Sequence, residues 1–149
     1  MTTTPSLHDD ERTLLYRLLE LSQAKTTGTA LASAARTVTT SSTDILTGGA
    51  RAILVYYDIT AVSGTGGLIL TIKGLNPTSG TYFVGPAGAT RTTVGAWTHS
   101  QGLGISSGGV VTNGNNSYVG FPLPDTIRLE VSHADASSYT YSVGYCLVY

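Results

Sequence analysis

The chain has 149 residues, one cysteine and a formal net charge of −1; only 11% of it is charged, against about a quarter in ordinary soluble domains, and 24 Thr, 15 Ser and 18 Gly stand in place of the missing charges. Such a composition suits one domain and excludes the clustered basic footprint of a nucleic-acid binder, a disulfide framework within the chain and a multi-cysteine zinc site. The longest apolar run, Ala52 to Tyr57, is far short of the ~18 residues of a membrane helix, and the first six residues carry neither the basic nor the apolar region of a secretory leader.

The predicted elements begin with a helix. Ser6 or Asp9 can cap it, and Asp9, Asp10 and Glu11 place negative charge on its first turn, where the helix dipole favours it. Leu14, Leu15, Leu18, Leu19 and Leu21 recur at helical spacing as one broad apolar stripe, with Arg12, Thr13, Arg17, Glu20 and Gln23 mostly opposite. Lys25 suits the C-terminal end, and Gly28 is the expected stop. The stripe covers barely two heptads, too little for a coiled coil that stands alone, so it needs a surface to bury against. These features divide the chain into an N-terminal arm over 1–28 and a β domain over 29–149.

After Gly28 the period changes to two. Ile53, Val55, Tyr57 and Ile59 alternate along one strand, residues 64–67 make a Gly-rich turn, and Leu68, Leu70 and Ile72 resume the alternation. Residues 76–80 (Asn-Pro-Thr-Ser-Gly) are a second turn, followed by short strands over Tyr82–Val84 and Thr92–Trp97. Residues 100–117 read as long loops around a short Val110-Val111 strand. Ile127, Leu129 and Val131 mark a further strand, and Tyr139, Tyr141, Val143, Tyr145 and Leu147 share one face of the last. About eight short strands with Gly-rich turns predict an antiparallel β-sandwich or jelly roll preceded by one amphipathic α-helix.

Motifs for chemistry are sparse. Residues 104–108 fit the G-x-S-x-G pattern, but no helical pattern follows to make a nucleophile elbow, so a loop is the reading. His8, His99 and His133 bring no third or fourth ligand with them, and Asp135 in the turn after His133 suits backbone amides better than a metal. Asp44, Asp58, Asp125 and Glu130 show no spacing that singles out a catalytic pair. Cys146 alternates with its neighbours as a small buried hydrophobe, and Asn115 opens a glycosylation sequon that has no weight without a leader. The expectation is no enzyme, no cofactor and no metal.

Tyrosine is the conspicuous residue, with nine in the chain. Tyr139, Tyr141, Tyr145 and Tyr149 share one parity, which fits either a tyrosine-rich core or an aromatic interface with another protein. A glycan platform built with Trp97 is a third option.

Several segments resemble a group of small virion proteins of tailed bacteriophages. These are residues 57–65 (Tyr-Asp-Ile-Thr-Ala-Val-Ser-Gly-Thr), 70–74 (Leu-Thr-Ile-Lys-Gly), the turn 76–82 (Asn-Pro-Thr-Ser-Gly-Thr-Tyr), 127–135 (Ile-Arg-Leu-Glu-Val-Ser-His-Ala-Asp) and 138–144 (Ser-Tyr-Thr-Tyr-Ser-Val-Gly). In order and spacing they span about residues 30–149, while the leucine-striped helix and the stretch from Thr90 to Val119 lie outside the likeness. The resemblance implies a β-sandwich component of the virion, foremost a capsid decoration (cement) protein on the capsid surface. Its partners would then be the major capsid protein and copies of itself, as a homotrimer, with no nucleic acid or membrane. A tail, connector or fibre-base component is the alternative it leaves, and a carbohydrate-binding module is the reading from another class. The interface residues expected from the sequence are Leu14, Leu15, Leu18, Leu19 and Leu21 on the arm, and Tyr139, Tyr141 and Tyr145 on the last strand.

Overall fold

The computed structural model describes residues 11–16, 25–103, 116–119 and 122–149. Ten strands among them form two sheets. They are β1 (Lys25–Arg36), β2 (Thr40–Ser41), β3 (Ile45–Leu46), β4 (Ala52–Ser63), β5 (Leu68–Leu75), β6 (Tyr82–Ala87), β7 (Gly95–Gly102), β8 (Asn116–Val119), β9 (Thr126–His133) and β10 (Ser138–Val148). The first sheet has the order β1-β10-β4-β7-β8 and the second β2-β9-β5-β6, with β3 joining β9 further along the same edge as β2. Pairing is antiparallel throughout except between β7 and β8.

Alternation builds the core. Ile53, Val55, Tyr57 and Ile59 of β4 meet Leu68, Leu70 and Ile72 of β5, Ile127, Leu129 and Val131 of β9, and Tyr139, Tyr141, Val143 and Leu147 of β10. All are buried, and each large apolar side chain contributes on the order of 1.5–3 kcal/mol on leaving water. The turn over 76–80 closes as its residues predict: the Asn76 side-chain carbonyl accepts the amides of Thr78 (2.9 Å) and Ser79 (3.3 Å), and Gly80 takes φ +69°.

Three expectations are corrected. Gly28 does not end a helix: β1 starts at Lys25, and Gly28 pairs with Tyr145 inside it. A Cβ at Gly28 would lie 2.5 Å from the Tyr145 hydroxyl oxygen, so the absence of a side chain is what lets that ring cross the strand. The strand expected over 92–97 runs instead over Gly95–Gly102. Its polar Ser100-Gln101 end reads as loop, yet it is held between β4 and β8. Finally, β8 begins at Asn116, within the stretch read as loop, whereas the Val110-Val111 strand falls outside the described residues.

Candidate interaction surfaces

The tyrosines expected at an interface divide. Tyr139 and Tyr141 are 1% and 0% exposed, so no partner can reach them. Their parity on β10 points them between the sheets, and the tyrosine-rich core is the alternative that holds. Tyr141 meets Tyr57 edge-on, with ring centres 5.9 Å apart. Tyr145 is half-buried on the rim of that core, over Gly28. Of the arm leucines, Leu14 and Leu15 lie on helical residues 11–16 and are 60% and 67% exposed, with Tyr16 beside them at 68%. Leu18, Leu19 and Leu21 lie outside the described residues.

Arg36 closes the side of the core that Tyr141 would otherwise leave open. Where β1 slips register between Leu31 and Ala34, its guanidinium donates to the carbonyls of Ala32 (2.7 Å), Ala34 (3.2 Å) and Tyr141 (2.9 Å). The same group lies 4.6 Å from the centre of the Tyr141 ring. His133 joins that ring cluster, 3.5 Å from the Tyr141 hydroxyl and edge-on to Tyr139. Burial holds the His133 imidazole below its ordinary range, helped by Arg36 and opposed by the Ser137 backbone and Asp135. The sequence offers no signal for Arg36, one charge in a run of Thr and Ala.

The candidate catalytic and metal residues do not converge. His99 is buried in β7, and burial lowers its pKa against a backbone contact at Pro86. Asp135 serves the turn as expected, its carboxylate accepting the Ser137 amide (2.8 Å). Asp44 accepts from Arg128 and from the Tyr82 hydroxyl (2.6 Å) on the outer face of the second sheet. The Tyr82 and Arg128 bonds, in that order, hold its carboxyl below the usual range. Glu130 pairs with Lys73 (2.7 Å) and Ser41 (3.1 Å). The Arg128–Asp44 tie is exposed and worth little, whereas the Lys73–Glu130 pair is part-buried. No group of three metal-ligating side chains occurs among the described residues. Residues 104–108, His8 and Asn115 lie outside them. Cys146 is buried, as its alternation predicts. Trp97 is half-buried, with the Arg91 guanidinium 5.0 Å over its ring and Tyr57 tilted against it at 6.1 Å, so its ring is already engaged within the chain.

Among the described residues two apolar openings stand out, and sequence reading located neither. One, of about 520 Å³, lies where the sheets part between β6 and β7, lined by Phe83, Val84, Pro86, Gln101, Leu123 and Pro124. Phe83 and Val84 are 51% and 70% exposed there. A Cβ on Gly74 would strike both Phe83 and Pro124, so the bare glycine lets that ring lie across β5. The other, of about 440 Å³, is a depression on the outer face of the first sheet. Its buried floor is Ala52 and Ser100, and its walls include Leu54, Leu103 and Val148.

No protein-family model matches the chain, and a search of curated proteins finds no match. Among solved structures the fold is similar to that of the SPBc2 prophage-derived protein YomS, at 14% identity and a TM-score of 0.45 over 85% of this chain and 94% of that one.

Proposed function

We propose that this chain is a structural protein of a tailed-phage virion, and within that class a capsid decoration protein that sits as a homotrimer on the major capsid protein. What supports the reading is where the phage-like segments fall. They occupy β4, β5, the β5–β6 turn, β9 and the start of β10, so the resemblance follows the framework of the sandwich in order. The surface agrees with the role: few charges oppose the packing of copies side by side, and apolar side chains stand exposed on β6 and on the arm. The mechanism would be mass action, since a protein that binds only the assembled shell stabilises it by its own binding free energy. The reading assigns no catalytic residue and no cofactor.

Copy number tests it. Quantitative mass spectrometry of purified particles, referenced to the major capsid protein, should give a ratio of about one to one for decoration, as lattice-wide binding requires. A handful of copies per particle would replace decoration by the tail, connector or fibre-base role. Absence from the particle would overturn the virion reading altogether.

A further inference from the structure

The cleft between β6 and β7 has a polar group at its floor that the chain itself leaves unsatisfied. Strand register places that group. Gln101 of β7 is opposite Ile53 of β4, cross-strand partners share a face, and Ile53 is 0% exposed, so Gln101 points between the sheets. It is 5% exposed and belongs to the lining of the cleft. Its Nε2 donates to the Pro122 carbonyl (3.2 Å), and this fixes which way the amide lies, because that carbonyl can only accept. The other end of the amide, Oε1, is buried with no hydrogen-bond partner. A buried acceptor left without a donor costs as much free energy as losing the bond it should have made, or more. A Cβ on Gly85 would lie 4.0 Å from that oxygen, so the bare glycine leaves room beside it on the β6 side.

We propose that this cleft binds a neutral, mainly aromatic small molecule whose N–H or O–H donates to Oε1 of Gln101. Apart from Gln101 the lining is apolar and carries no charged side chain, so it favours an uncharged body over an ionised one. The rings of Phe83, Pro86 and Pro124 offer flat apolar faces on which an aromatic ring can pack. Phe83 and Val84, 51% and 70% exposed, leave the mouth open to solvent. The volume of about 520 Å³ lies within the roughly 300–1,000 Å³ of ordinary ligand pockets. The donor sets specificity, because a ligand without one fills the cleft and still leaves Oε1 unpaired. This site goes beyond the virion role and does not depend on it.

The test uses the full chain, isotopically labelled for amide NMR, and two probes: indole, which has a ring N–H, and N-methylindole, which has none. Each is titrated to about 1 mM, a concentration at which so small a ligand can bind measurably. Indole should move the side-chain amide signals of Gln101 together with the backbone amides of Phe83, Val84 and Leu123, and leave those of β1 and β2 in place. The extra methyl adds apolar area of its own, so the donor is read from a ratio. The Kd of N-methylindole over that of indole should be about fivefold larger in the wild type than in Gln101→Leu, as one buried hydrogen bond provides. Gln101→Met, which keeps the length of the side chain and removes the amide, serves the same comparison where Gln101→Leu does not fold. Val84→Asp, at an exposed position, should weaken both probes by about fivefold or more by putting a charge at the mouth. No shift with indole, shifts that do not converge on these residues, or one ratio common to wild type and variant would overturn the proposal. So would a Val84→Asp chain that binds both probes as the wild type does.

Discussion

Replacing Arg36 by Ala tests how the sandwich is closed on its β1 side. The substitution removes a part-buried, charge-assisted bond to the Tyr141 carbonyl (2.9 Å), worth about 1.5 kcal/mol. It also removes the stacking of the guanidinium 4.6 Å from the Tyr141 ring, about 0.5–1 kcal/mol. The bonds to Ala32 and Ala34 are exposed, and water replaces most of them, so together they add about 0.5 kcal/mol. The sum is about 2.5–3 kcal/mol, which for a chain of this size lowers Tm by roughly 5–12 °C. Urea unfolding followed by far-UV circular dichroism measures it, with an unchanged m value showing that the native state keeps its compactness. Arg36→Lys should recover less than half, because one ammonium cannot span three carbonyls and does not stack as a plane. Wild-type stability in Arg36→Ala to within about 0.5 kcal/mol, the scatter of an ordinary surface change, would refute the closure. Full rescue by Lys would refute the need for a fork.

His99 and His133 are both held below the ordinary 6.5, first by burial, so the native state binds fewer protons in mild acid than the unfolded chain. Their stabilisation is complete above about pH 6.5 and is lost as the pH falls through the depressed native values; urea midpoints between pH 7.5 and 5 should fall, less steeply in His133→Asn. Gly28→Ala drives a methyl into the Tyr145 ring and should cost about 1–3 kcal/mol, and Tyr145→Ala should make the same change nearly neutral in a double-mutant cycle. Removing residues 1–24 leaves β1 whole and should keep the Tm of the sandwich while weakening capsid binding in a co-sedimentation assay. Removing residues 1–28 also takes the Lys25–Gly28 pairing with Tyr145–Val148 and should lower Tm as well. Asp44→Asn breaks an exposed tie and should leave the urea midpoint close to that of the wild type.

What the sequence made legible was whatever a period of two can carry. Ile53 to Ile59, Leu68 to Ile72, Ile127 to Val131 and the inward face of β10 all alternate, and every one of those apolar positions but Tyr145 is buried. The Asn76 turn was legible for the same local reason, since its side chain closes the turn on its own amides. Sheet order, by contrast, joins residues a hundred positions apart, and no local rule tells that β1 pairs with β10 or that polar Thr98 to Gln101 lie between two strands. The same distance explains the errors. Gly28 carries the local signature of a helix stop, but its place is set by Tyr145, a ring on another strand. Parity could put Tyr139 and Tyr141 on one face without saying which face was inward. That choice depends on the second sheet, whose Leu70, Ile72, Leu129 and Val131 lie in the same core as those rings. The surfaces are the least legible part, because a depression such as the one at Ala52, Leu54, Leu103 and Val148 gathers residues from β4, from β10 and from the residue that follows β7. Read alone, Ala52, Leu54 and Val148 are ordinary strand residues and Leu103 belongs to a loop. Exposure of an apolar residue therefore becomes informative only once the fold shows which positions remain uncovered, and among the described residues these include Leu14, Leu15 and Tyr16 of the arm, Leu46 of β3, and Phe83 and Val84 of β6.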